Sequence, residues 1–314
     1  MNAKTPDYGG DGPLRIATYN VEWFNSLFDK NDKLIENATW SSRYNVTKIE
    51  QIEALATVVR TINADAVLIV EAPDHSPHRS TVAALEHFAE RAGLRTSEAI
   101  IGFSNDTKQE LALLYDPDRL SAHHMPSSDG APRFDQTFQL DVDVDAYPDP
   151  IIWSKPPLEL ALKTSGGTEI SLIGVHAKSK APHGAESADD AKRISIANRR
   201  KQLAQCIWLR RRVEARLAAG DSLIVLGDFN DGPGLDEYEK LFGRSGVEIV
   251  LGEGDGGTLF DPHAAQALRG RFGSGPTSAR FYISRSKRYL SALLDYIMVS
   301  QDLRQKRPVW RIWH

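Results

Sequence analysis

Cysteine is nearly missing from this sequence: Cys206 stands alone in 314 residues. A lone thiol excludes an intramolecular disulfide and any metal site built from several cysteines. Also lacking is a stretch approaching the ~18 consecutive apolar residues of a membrane-spanning helix, and the opening from Met1 to Pro13 is polar and glycine-rich rather than signal-like. The chain therefore reads as soluble, with a flexible segment over 1–13, and its compartment stays open between the cytoplasm and secretion after loss of a signal peptide. No repeat has the period of a solenoid or propeller. A strong charge of either sign is lacking too. The formal net charge of −4 gives no global pull toward a polyanion, so nucleic-acid binding would need a local basic surface. Lys178, Lys180, Lys192, Arg193, Arg199, Arg200, Lys201, Arg210, Arg211, Arg212 and Arg216 fall in one stretch that could supply it; a solvated helix face is the plain alternative.

What is present is ample apolar material, 41% hydrophobic against 25% charged, enough for a sizeable core. Short apolar runs bounded by turn residues predict buried strands over Leu14–Tyr19, Ala66–Val70, Ala112–Tyr115, Leu158–Leu162, Glu169–Val175, Leu223–Leu226 and Leu293–Val299. Helical spacing predicts helices over Thr47–Ile62, Ser80–Ala92 and Ser195–Ala219, the last closed by Gly220. Between Ile100 and Gly174 strands follow one another without a helix, which argues for mixed sheets flanked by helices rather than a doubly wound parallel sheet. Apolar strands resume in the same style on both sides of every loop, so one domain over 1–314 is the economical reading, with a monomer as the default.

Polar residues gather at the carboxyl ends of these strands, where open α/β sheets collect their ligands. The run from Asp221 ends in Gly227-Asp228-Phe-Asn230. Gly227 permits a tight approach, and Asp228 and Asn230 can leave the strand end on one side. A carboxylate and an amide so placed suit a phosphate centre, the one for a water and the other for a phosphoryl oxygen; an Asx-type turn uses the same residues locally. Asn20 and Glu22 end a second strand. Glu71 ends a third, before Pro73, as an oxygen ligand suited to Mg²⁺. His176, with Lys178 and Lys180 just beyond, ends a fourth: the imidazole can pass a proton near neutrality and the lysines can stand beside phosphate. Asp295 lies against an apolar strand, where burial demands a hydrogen-bonding partner such as a histidine.

In this order, Tyr19-Asn20-Val-Glu22, Glu71, Val175-His176-Ala-Lys178-Ser-Lys180, Gly227-Asp228-Phe-Asn230 and Asp295-Tyr-Ile-Met-Val resemble the endonuclease/exonuclease/phosphatase superfamily, the His-x-Lys-Ser-Lys form being like that of bacterial extracellular nucleases. The resemblance implies a deoxyribonuclease I-like α/β fold, a four-layered α/β/β/α sandwich with two mixed sheets. It implies Glu71 as principal ligand of Mg²⁺, with Mn²⁺ or Ca²⁺ as alternatives, and Asn20 beside it orienting a metal-bound group or the phosphate. His176 would flank the phosphate, Asp228 would position or deprotonate the attacking water, Asn230 and Lys178 would bind phosphoryl oxygens, and Asp295 would orient a second histidine. All would gather around one pocket. The implied activity is a metal-dependent phosphodiesterase, foremost a nuclease on DNA or RNA, with a phosphatase or phospholipid phosphodiesterase as the rival; Trp23, Phe24, Phe28 and Trp40 would form a lipid enzyme's apolar rim unless they are core.

The sequence departs from the family pattern twice. Val70 stands where a glutamine usually precedes the metal-binding glutamate, which removes one side-chain hydrogen bond. Family members close with Ser-Asp-His and a final strand, whereas this sequence ends at Trp310-Arg-Ile-Trp-His314, so the expectation is a domain shortened before that motif. A non-catalytic binding module that lost the histidine is the reading from another class.

Overall fold

The computed structural model describes residues 12–141, 148–182, 184–233, 242–254, 257–270, 275–283 and 287–313; the expected flexible N-terminus and His314 lie mostly or wholly outside them. In chain order the strands are β1 Ile16–Asn20, β2 Ala66–Ala72, β3 Glu98–Ile101, β4 Glu110–Tyr115, β5 Leu120–His124, β6 Phe138–Leu140 and β7 Asp149–Ile151. They continue with β8 Leu158–Thr164, β9 Glu169–His176, β10 Leu223–Asp228, β11 Ala279–Ile283, β12 Arg288–Ala292 and β13 Asp295–Val299. The helices that matter here are α1 Lys48–Ile62, α2 Thr81–Ala92 and α3 Ala188–Ala218. Two large sheets form, ordered β1-β2-β4-β3 and β13-β10-β9-β8-β5, and both mix parallel with antiparallel pairing. The chain is thus the mixed α/β type that the interleaved runs predict. It divides into two compact units, 1–125 with 160–170 and 126–159 with 171–314.

In the first unit, β2 is a continuous apolar run because it is buried along nearly its whole length, from Ala66 to Val70 at 1% exposure or less. Ile52, Leu55 and Val59 from α1 and Leu85 and Phe88 from α2 pack with Val67, Ile69, Ala112 and Leu114 of the sheet. The helix starts follow local chemistry. Thr47 and Glu50 form a reciprocal capping box at α1 and Ser80 caps α2, each worth ~1 kcal/mol. Phe24 and Phe28 belong to this core, whereas Trp23 and Trp40 are half or more exposed.

In the second unit, Trp208, Leu209 and Val213 of α3 pack with Val175, Val225, Tyr296 and Met298 of the strands. α3 begins seven residues before the predicted Ser195, at Ala188, because Ser187 caps it and Asp189 and Asp190 occupy its first turn. At the far end Gly220 follows the cap residue with φ 85°, the left-handed stop that the sequence predicts.

The basic stretch on α3 divides between buried and solvated residues. Arg199, Arg210 and Arg212 are buried. Arg199 pairs with Asp231 at 3.3 Å and Arg210 with Glu214 at 2.9 Å. Arg212 lies 3.0 Å from Glu159 and donates to the carbonyls of Ser127, Asp129, Ala131 and Pro132. These arginines tie loops to the helix; Lys192, Arg193, Arg200, Lys201 and Arg211 keep the solvent face.

Candidate active site

The second unit assembles three titratable side chains in one row. β9 and β10 run parallel with Asp228 opposite His176, and β10 and β13 run antiparallel with Asp228 opposite Asp295. Two strands therefore finish, and a third begins, at one level. Gly227 makes the close approach: its φ is 131°, and a Cβ there would lie 2.1 Å from the Val175 carbonyl oxygen. No other residue fits without moving a strand.

His176 and Asp228 are both buried, at 5% exposure, with Nε2 of the ring 3.9 Å from Oδ2 of the carboxylate. Lys155 brings its ammonium to 3.4 Å from the same nitrogen. Burial first, and the Lys155 charge second, hold the imidazole well below its ordinary value. The ring is therefore neutral near pH 7 and able to take a proton. Nδ1, on the other side of the ring, is buried without a hydrogen-bond partner among the described residues.

Asn230 sits at φ 49°, a left-handed conformation that asparagine tolerates best among non-glycine residues. Its backbone N–H donates to Oδ1 of Asp228 at 2.7 Å, the local turn expected as the plain alternative. Its side-chain amide donates to the Ala177 carbonyl at 3.0 Å, so the loops after β9 and β10 are joined. Behind them Gln202 of α3 donates to the carbonyls of Lys178, Phe229 and Asn230, and Gln205 accepts the Lys178 N–H and donates to Ile152. Two buried glutamines on one helix face thus clamp both loops.

The two lysines after His176 separate in role. Lys180 forms a salt bridge to Asp231, which is fully buried and also takes the Gly232 and Gly246 N–H groups; that charge is structural. Lys178 has its ammonium lowered from the ordinary lysine value by burial and then by Lys201. Asp295 finds Ser278 as its partner rather than a histidine: the hydroxyl donates to Oδ2 at 2.8 Å and accepts the Leu294 and Asp295 N–H groups. Burial pushes this carboxyl up to about 6.

The first unit holds the oxygen donors. β1 and β2 are parallel with Asn20 opposite Val70, so Asn20 and Glu71 stand at neighbouring strand ends. A bulge interrupts the β2–β4 register between Val70 and Ala72, and Glu71 within it has φ 61°. Such a conformation costs a glutamate ~1–3 kcal/mol, and bulges re-aim side chains where a strand must present one. Gln109, just before β4, donates to its Oε2 at 2.9 Å, a side-chain amide hydrogen bond of the kind that Val70 cannot make. Asn20 accepts the Glu22 N–H at 3.1 Å, and Glu22, at φ 45°, pairs with Arg43 at 2.8 Å. One carboxylate and one amide oxygen make a hard donor set, the kind that leaves Mg²⁺ most of its waters. Of ten non-glycine residues with positive φ among the described ones, three are Glu22, Glu71 and Asn230, all in the strand-end motifs. Among the described residues no cluster of three or more His, Cys, Asp or Glu side chains surrounds a metal position.

Lys155, Gln109, Gln202 and Gln205 were not legible as site residues.

The family model described as Endonuclease/Exonuclease/phosphatase family matches residues 17–313. The chain belongs to the endonuclease/exonuclease/phosphatase family. Membership supports phosphoester hydrolysis as its chemistry. No curated protein matches the chain. Solved structures similar to it include TDP2 of D. rerio complexed with a single-strand DNA product, at 13% identity over 91% of this chain and 83% of that one, TM-score 0.45. The human Nocturnin catalytic domain with bound sulfate gives 14% identity over 92% and 83%, TM-score 0.41. An endonuclease/exonuclease/phosphatase family protein from Bacteroides thetaiotaomicron gives 14% over 92% and 83%, TM-score 0.46. Among the described residues, no helix of this family member is long and apolar enough to cross a membrane.

Proposed function

We propose that this chain is a divalent-metal-dependent phosphodiesterase that cleaves nucleic acid by in-line attack of water on phosphorus. The observation that carries the reading is the pairing of a buried, neutral His176 with Asp228 at one register position, 3.9 Å apart, in a chain of this family. Asp228 orients the water and draws on its proton, and His176 accepts or returns a proton at the phosphoryl or leaving oxygen. The second N–H of the Asn230 amide and the Lys178 ammonium hold phosphoryl oxygens, and Lys155 adds positive charge beside them. Asp295 backs the row. In the first unit Glu71 and Asn20 would hold a cation, Mg²⁺ foremost with Mn²⁺ and Ca²⁺ as alternatives, and a cation so held would supply charge neutralisation to a phosphodiester.

Hydrolysis of plasmid DNA, RNA and bis(p-nitrophenyl) phosphate, with and without Mg²⁺, tests this directly. Activity is expected only with the cation and is expected to collapse in Glu71→Gln; metal-independent hydrolysis, or an unaffected variant, contradicts the scheme. The exposure of Trp23 at 50% and Trp40 at 66% favours a second reading, a phospholipid phosphodiesterase that seats these rings in a lipid surface. Salt separates the two. A nuclease loses affinity steeply as salt rises because phosphate binding releases counterions, and Trp40→Ala weakens only the lipid enzyme.

A further inference from the structure

The second unit carries a hairpin that the proposed chemistry does not use. β11 and β12 form a sheet of their own, with Arg280 opposite Ser291, Phe281 opposite Leu290 and Tyr282 opposite Tyr289. Side chains alternate across a strand, so Arg280, Tyr282 and Tyr289 share one face. There the two tyrosine rings lie 5.3 Å apart, and the Arg280 guanidinium stands 4.5 Å from the centre of the Tyr289 ring. Tyr282 is 51% exposed and Tyr289 63% exposed, and Phe281 on the other face is exposed as well. Leaving three aromatic rings in water on an isolated hairpin contributes little to folding, and contiguous exposed rings mark a recognition surface.

Charge narrows the partner. From Pro262 to Leu294 the sequence has no acidic residue, yet it has Arg269, Arg271, Arg280, Arg285, Lys287 and Arg288, in a chain whose net charge is −4. Position narrows it further. Ser278, at the root of the hairpin, donates its N–H to the Ala292 carbonyl and its hydroxyl to Asp295, the residue opposite Asp228. The hairpin therefore grows directly out of the row of titratable groups.

We propose that this hairpin is a stacking platform for unpaired bases of single-stranded nucleic acid, its tyrosines taking the base faces and its arginines the adjacent phosphates. Flat aromatic faces interleaved with arginine accept any base and track a backbone, and each stacked base is worth roughly ten-fold in affinity. Duplex DNA offers no free base face, so the platform selects unpaired strands or frayed ends. The proposal rests on the nucleic-acid reading of the substrate and assigns where that strand lies.

Binding of the intact chain to fluorescein-labelled oligothymidylate, followed by anisotropy in EDTA to prevent cleavage, tests it. Tyr282→Ala with Tyr289→Ala is expected to weaken binding roughly ten-fold or more with the circular dichroism spectrum retained, and the two tyrosine-to-phenylalanine changes are expected to restore it. An abasic oligonucleotide of equal length should bind the wild type and the alanine variant alike. Arg280→Ala with Arg288→Ala should flatten the salt dependence, by about 0.7 in log–log slope for each phosphate no longer neutralised. Unchanged oligothymidylate binding in the alanine variant, equal losses on the abasic polymer, or losses confined to anionic phospholipid vesicles would each overturn the platform. Hydrolysis of bis(p-nitrophenyl) phosphate, too small to span the hairpin, is expected unchanged in the tyrosine variants; its absence from the wild type would sink the phosphodiesterase reading instead.

Discussion

The strand-end groups of the two units are built on opposite plans. In the second unit His176 and Asp228 are buried and Asp295 is partly so, the loops that follow β9 and β10 are clamped by Gln202 and Gln205, and a glycine without substitute sets the strand spacing. In the first unit Asn20, Glu22 and Glu71 are only partly covered or exposed, and the precision there comes from strained backbone at Glu22 and Glu71. The difference follows from what each group is proposed to handle. A proton acceptor needs a dry setting that moves its pKa. A Mg²⁺ ligand needs room for the waters the ion retains.

The largest effect expected is at the buried row. Asp228→Asn removes the carboxylate while keeping shape, and the rate should fall at least ~10²-fold at every cation concentration, in single-turnover assays. Glu71→Gln should fall comparably at limiting Mg²⁺ but recover in part as the cation is raised; a loss insensitive to cation would erase the distinction between the two plans. Gln202→Ala should come next. It leaves the carbonyls of Lys178, Phe229 and Asn230, one buried and two partly buried, without this donor, at ~1–3 kcal/mol of stability, and should lower kcat more than it raises KM because the two loops lose their common clamp. Were both constants of Gln202→Ala those of the wild type, the clamp would have no bearing on the site.

The smallest effects are in pH dependence. His176 is depressed in the native state, so the unfolded chain binds its proton more readily; stability is lost as pH falls below the ordinary histidine value. Asp295 has the opposite sign. Its native value of about 6 lies above that of an unfolded aspartate, so the stability it lends at low pH disappears as pH rises toward 6. Asp295→Asn should therefore raise Tm above pH 6 relative to the wild type and leave it nearly level below pH 4, in thermal melts across that range. Lys155→Met should move the acid limb of kcat/KM upward, since it removes the second cause of the His176 depression.

Most of the fold was readable locally. The seven predicted strands all form, the helices expected from Thr47 and from Ser80 form with those residues as their caps, and Gly227 does what its place in Gly-Asp-Phe-Asn suggested. What escaped depends on partners distant in the chain. Arg199 and Arg212 read as solvated charges until Asp231 and Glu159 stand against them. Gln109 and Lys155 are polar residues in irregular segments, and only tertiary folding brings them to Glu71 and His176. The paired strands Ala279–Ile283 and Arg288–Ala292 were missed because each is only five residues long and the apolar positions Phe281 and Leu290 alternate with arginine and tyrosine in a segment dense in glycine, serine and basic residues.

The bulge at Glu71 carries one more consequence. A glycine would occupy φ 61° without steric penalty, so a screen for thermal tolerance alone should enrich Glu71→Gly, gaining ~1 kcal/mol as it discards the carboxylate. If Glu71 holds the cation as proposed, the same substitution that relaxes the backbone should abolish metal-dependent hydrolysis, so the two properties would trade against each other at this one position.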